Sequence, residues 1–117
     1  MRRRETPAYA VPPIDGFGEG GFRVAGARRE GHVLIIDGTT KAWPVDGDPR
    51  ALTASDFNAF LARADTPDMV VLGLGRTLVH PPAEVRQAFR EAGVGLEALD
   101  TATACRTYNL LAGEARR

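Results

Sequence analysis

The sequence predicts an α/β protein: a single three-layer sandwich whose mixed β-sheet begins with an N-terminal antiparallel hairpin and carries helices on both faces. Three observations predict it. Short apolar stretches between residues 22 and 45, broken by Asp37-Gly38, have the pattern of paired strands around a tight turn. From residue 53 onward, helical stripes alternate with apolar runs, which is the signature of parallel strands joined by crossover helices. The length, 117 residues, fits one domain with a core of its own and shows no internal repeat.

Residues 1–13 carry Arg2, Arg3 and Arg4 and three prolines, and read as an extended arm ahead of a domain spanning 14–117. Gly16-Phe17-Gly18-Glu19-Gly20-Gly21 formally matches a dinucleotide-binding fingerprint. It lacks that motif's context, because Pro12-Pro13 precedes it and the alternating Phe22-Arg23-Val24-Ala25 follows it where a helix should start. A turn or bulge at positive φ is the expected use of these glycines.

Phe22–Ala27 and His32–Ile36 read as strands joined by a loop at Arg28–Gly31, and Ala42–Val45 as a third short strand held to an edge by Pro44. Thr53 and Asp56 suit a helix start, with Phe57, Phe60, Leu61 and Ala64 on one face and Thr66-Pro67-Asp68 as the stop. Met69–Leu72 is the best buried-strand candidate, ended by Gly73-Leu74-Gly75. Pro81-Pro82 opens a helix whose stripe is Val85, Ala88, Phe89 and Ala92, and Gly93 is its expected C′ residue. Gly95–Ala98 forms a strand leading to Asp100, and a last helix runs to about Ala115.

Composition narrows the function. Formal net charge is zero, so no whole-chain field draws the protein to nucleic acid or an anionic membrane. Every basic side chain except Lys41 is Arg, and these are scattered rather than clustered. Cys105 is the one cysteine, which excludes an internal disulfide and a multi-cysteine zinc site. Two distant histidines offer no metal spacing, so no metal or cofactor is expected. No apolar run reaches membrane-spanning length and no apolar stretch follows the basic start, so a cytoplasmic protein without direct membrane insertion is the expectation.

The candidate site lies where two loops meet the same edge of the sheet. Gly73, Gly75 and Arg76 follow the apolar strand, and Asp100 and Thr101 open the last helix, whose N-terminus could hold a small anion. Asp100 has a structural role available as the helix cap. Thr101, Ala104, Cys105, Tyr108, Leu111, Ala112 and Ala115 form the packing stripe, which places Cys105 in the core. A nucleophile pair of Cys105 with His80 would need an orienting third group, and the sequence offers none. Arg106 and Asn109 share another stripe and could clamp the helix to the glycine loop or hold a carboxylate or phosphate.

Read together, Ile14-Asp15-Gly16-Phe17-Gly18, Gly21-Phe22-Arg23-Val24, Glu30-Gly31, Trp43, Gly73-Leu74-Gly75 and Asp100-Thr101…Ala104-Cys105-Arg106-Thr107-Tyr108-Asn109-Leu110-Leu111…Glu114…Arg116 resemble the small family called domain of unknown function 498. Its eukaryotic relatives include a mitochondrial assembly factor of respiratory complex I. The resemblance implies a three-layer sandwich, no established enzymatic activity, and, for relatives, a role in assembling the peripheral arm of NADH:ubiquinone oxidoreductase through protein contacts. The family's last helix often continues beyond its Glu-x-Arg, whereas this sequence stops at Arg117, which weakens the case for a C-terminal docking surface. The expected function is therefore a non-enzymatic interaction or assembly protein with a protein partner. The alternative is a small-anion-binding protein or enzyme at the Gly73–Arg76 and Asp100–Arg106 crevice, and an exposed hairpin edge would also permit a homodimer.

Overall fold

Tight turns at positive φ organise the N-terminal half. The computed structural model describes residues 12–45 and 47–113. Strands β1 (Ile14–Gly18), β2 (Gly21–Val24) and β3 (Ala27–Glu30) form an antiparallel meander. Strands β4 (Val33–Ile36) and β5 (Thr39–Ala42) form a separate antiparallel hairpin. The three two-residue turns are Glu19-Gly20, Ala25-Gly26 and Asp37-Gly38, each with both residues at positive φ. That conformation matches the natural twist of hairpin strands. It strains Ala25, at φ 51°, because its Cβ crowds the backbone there. Ala25→Gly is therefore expected to stabilise the fold by about 0.5–1 kcal/mol, read as a raised melting temperature.

The fingerprint-like glycine segment is thus a β-hairpin, with Gly16 paired to Arg23 and Gly18 to Gly21. Two expected boundaries shift. Arg28-Arg29-Glu30 is strand β3 rather than a loop, because the chain turns earlier, at Ala25-Gly26. The strand after Asp37-Gly38 is Thr39–Ala42 rather than Ala42–Val45, because the two-residue turn pairs Thr39 directly with Ile36.

A 3₁₀ turn (Ala54–Phe57) leads into α1 (Asn58–Leu61), with the Asp56 carboxylate accepting the Thr53 N–H at 2.8 Å. This helix ends at Leu61, before the expected stop, and the Arg63 guanidinium reaches across to Asp37 at 2.9 Å. Strand β6 (Met69–Gly73), α2 (Ala83–Ala92) and β7 (Gly95–Leu99) form a β-α-β unit with parallel strands in the register Met69↔Gly95 to Gly73↔Leu99. Gly93 ends α2 at φ 72°, and the Val94 N–H returns to the Phe89 carbonyl at 3.1 Å, as a glycine-terminated helix should. Helix α3 (Thr101–Gly113) follows; the expected extension to Ala115 and most of the expected arm lie outside the described residues.

Helices cover both faces of the parallel pair. Val70 and Leu72 join α2's Val85 and Phe89 in the core, together with Leu52, Phe57, Leu74 and Val94. On the opposite face, a Cβ at Gly73 would lie 3.2 Å from the Ala104 side chain of α3, so glycine lets helix and strand approach closely. The α/β class holds. The strands form three hydrogen-bonded groups (β1-β2-β3, β4-β5 and β6-β7) rather than one continuous ladder.

Candidate functional site

The C-terminal end of β6 and the start of α3 are laced together. The Leu74 N–H donates to the Leu99 carbonyl at 2.8 Å, and the Thr101 N–H donates to the Gly75 carbonyl at 2.8 Å. The Gly75 N–H donates to the Thr101 hydroxyl at 3.0 Å. Gly75 sits at φ 107°, a conformation that glycine adopts without strain. The structure brings Gly73 and Gly75 beside Thr101, and the backbone N–H and carbonyl of Gly75 both bond to Thr101.

Asp100 caps α3. Its Oδ2 accepts the Thr103 N–H at 3.1 Å. Hydrogen bonding to Thr103, through its hydroxyl first and its backbone second, holds the carboxyl below the usual carboxylate range. Because the folded-state value lies below the unfolded one, the cap stabilises the fold above the unfolded carboxylate range. That stabilisation is lost as pH falls through the folded value. Asp100→Ala should lower the melting temperature by roughly 2–6 °C at pH 7, and the difference from the parent protein should shrink in acid.

The expected clamp between the Arg106–Asn109 stripe and the glycine loop is not formed. Asn109 lies eight residues beyond Thr101, about 12 Å along the helix axis, too far to reach Gly73–Gly75. It instead grips β1: its Oδ1 accepts the Ile14 N–H at 2.9 Å and its Nδ2 donates to the Ile14 carbonyl at 2.9 Å. One helix turn gives Tyr108 a matching role, its hydroxyl donating to the Pro12 carbonyl at 2.6 Å. Burial pushes the Tyr108 phenol up to about 12. Arg106 is exposed and donates to the Thr103 hydroxyl at 3.3 Å, on α3 itself. Arg76 is exposed in the loop after β6. Sequence reasoning missed the Tyr108–Asn109 hold on Pro12 and Ile14; alternating donor and acceptor atoms on one helix turn were its only signal.

Cys105 is buried, at 7% exposure, and burial raises its thiol above the ordinary value while Arg106 partly opposes the shift. His80 is exposed ahead of α2, and among the described residues no hydrogen bond joins it to Cys105. Folded protein at pH 7.5 should therefore react with iodoacetamide at least about tenfold more slowly than urea-unfolded protein. Among the described residues no His, Cys, Asp and Glu side chains cluster as metal ligands, and no helix is long and apolar enough to cross a membrane.

α3 thus holds the N-terminal strand on one side and the glycine loop at its start. The family model described as "Protein of unknown function (DUF498/DUF598)" matches residues 14–117, which includes all of these elements. The chain belongs to this family. Within DUF498/DUF598, the chain is 35% identical over 117 residues to an uncharacterized protein of Rhodobacter capsulatus, covering 100% of this chain and 88% of that protein. It is 32% identical over 103 residues to NADH dehydrogenase [ubiquinone] 1 alpha subcomplex assembly factor 3 of Mus musculus, covering 88% of this chain and 55% of that protein. The chain therefore spans about half the length of the mouse relative. The crystal structure of a Bordetella parapertussis protein superimposes with a TM-score of 0.82 at 32% identity, covering 95% of this chain and 93% of that one. Within the span that the DUF498/DUF598 model matches, the Asp100–Leu111 segment ties α3 to β1 and to the loop after β6.

Proposed function

We propose that the chain is a non-catalytic protein-interaction and assembly factor acting in the cytoplasm, and that the complex it serves is respiratory NADH:ubiquinone oxidoreductase. The observation that carries this reading is the similarity to the mouse assembly factor, which extends over 88% of this chain. The chemistry of α3 supports it. Four polar side chains on it and at its cap are committed to backbone groups of the fold: Asn109 to Ile14, Tyr108 to Pro12, Thr101 to Gly75 and Asp100 to Thr103. Those contacts make a rigid scaffold.

A deletion strain of the native organism tests the reading. Native gels stained for NADH dehydrogenase activity should show less assembled complex, restored by the intact chain supplied on a plasmid. An unchanged level of assembled, active complex in the deletion strain would overturn the proposal, as would an organism that lacks the complex altogether.

A further inference from the structure

The segment between β6 and α2 is held at both ends and unbonded in its middle. Leu74 is buried, and the N–H and carbonyl of Gly75 both bond to Thr101, which fixes the leading end against α3. Pro81 is buried at the trailing end, and the pair Pro81-Pro82 restricts the residues before each proline to extended backbone. Among the described residues, Arg76, Thr77, Leu78, Val79 and His80 take part in no hydrogen bond or ion pair, through backbone or side chain. A stretch with fixed ends and unused donors and acceptors can meet a partner at a low ordering cost.

Its chemistry is one-sided. Leu78 is 53% exposed; the other large apolar side chains this open to water among the described residues, Phe17 and Leu110, sit in β1 and α3 rather than in a loop. Arg76 holds an exposed guanidinium with no partner. No acidic residue lies between Asp68 and Glu84. The flanking carboxylates are already engaged, that of Glu84 with the Ala54 N–H and that of Asp100 with the Thr103 N–H. Pro82 gives α2 no side-chain cap, so the first-turn N–H groups add partial positive charge.

These features decide what fits. A nucleic acid would satisfy Arg76 and leave Leu78 in water. An acyl chain would cover Leu78 and leave the unbonded backbone of Arg76–His80 without donors or acceptors. A protein surface supplies all three complements: an apolar socket, backbone groups beside it, and a carboxylate that a guanidinium can grip through two parallel bonds.

We propose that Arg76–His80 is a docking loop: Leu78 enters an apolar socket on a partner protein, and Arg76 pairs with a carboxylate at the rim of that socket. This names the contact used under the interaction-factor reading and rests on that reading.

Site-specific photocrosslinking in the native cell tests it. The epitope-tagged full chain carries Leu78→benzoylphenylalanine, and Gln87→benzoylphenylalanine on the exposed face of α2 is the control. Position 78 should give a discrete protein adduct, attached beside an Asp or Glu of the partner when mapped by mass spectrometry. Adding Arg76→Glu should lower the adduct yield at least about tenfold, because it sets two carboxylates against each other. Arg76→Lys should keep more of the yield than Arg76→Gln, because it keeps the charge. Arg76 makes no contact within the fold, so these changes should leave the melting temperature within about 3 °C of the parent. The proposal is overturned by no adduct at position 78, by a yield that ignores Arg76→Glu, by an equal yield of the same adduct from position 87, or by attachment to nucleic acid, to lipid, to a second copy or back into the chain itself. An Arg76-dependent adduct with a protein outside NADH:ubiquinone oxidoreductase would keep the docking loop and remove the respiratory reading. No adduct, with the complex deficient in the deletion strain, would do the reverse.

Discussion

Phe57→Ala is expected to lower the unfolding free energy by about 3–5 kcal/mol, a large share of the roughly 5–15 kcal/mol typical of a domain this size. Phe57 is 1% exposed, and its ring meets Trp43 edge-on at 5.4 Å and Phe89 edge-on at 5.2 Å between centroids. Truncation would remove both aromatic contacts and leave a void where the residues around β5, α1 and α2 converge. The backbone beside it is also engaged, since the Trp43 indole N–H donates to the Asp56 carbonyl at 3.0 Å. Urea unfolding monitored by Trp43 fluorescence measures the loss. Phe57→Leu should recover more than half of it, because most of the buried volume returns. A midpoint for Phe57→Ala close to that of the parent protein would show that the three rings do not form the centre of the core.

The second large effect is expected at Asn109. Asn109→Ala removes both partners of the Ile14 backbone, leaving a part-buried donor and acceptor, at a cost of about 1–3 kcal/mol. Asn109→Asp should not rescue the loss, because a carboxylate accepts the Ile14 N–H but repels the Ile14 carbonyl. Thermal melts give the size of the effect, and faster exchange of the Ile14 amide localises it. The Asn109 contact joins positions 95 residues apart, so its loss should loosen β1 against α3 more than it loosens the β6-α2-β7 unit.

These two residues illustrate how much the sequence reveals. Helix α2 was legible because its punctuation is local: Pro81-Pro82 at the start, Val85 and Phe89 one turn apart, and Gly93 at the end. The Asp100 cap was legible for the same reason, since its partner is three residues away. Strand β3 was hidden because Ala27-Arg28-Arg29-Glu30 is exposed at every position, and an edge strand gains from charge rather than from an apolar pattern. Its turn was hidden because Ala25 is a poor residue for positive φ, so only the neighbouring Gly26 signalled it. The glycine loop and the start of α3 lie side by side because β6 and β7 are parallel. Their bonding could not be read in advance, because the bond between Gly75 and Thr101 joins residues 26 apart and is set by tertiary packing. The hold of Tyr108 and Asn109 on Pro12 and Ile14 left only the polar atoms of one helix turn as a signal, because its partners lie 96 and 95 residues away.

The central claim is that this DUF498/DUF598 chain works through protein contacts during assembly of the respiratory complex. The most direct measurement is purification of the epitope-tagged chain, expressed from its own locus after mild crosslinking in the native cell, with quantitative mass spectrometry against an untagged control. The account predicts enrichment of subunits of NADH:ubiquinone oxidoreductase together with the chain. Absence of every subunit of that complex from the crosslinked material, in cells that are actively building it, would contradict the account.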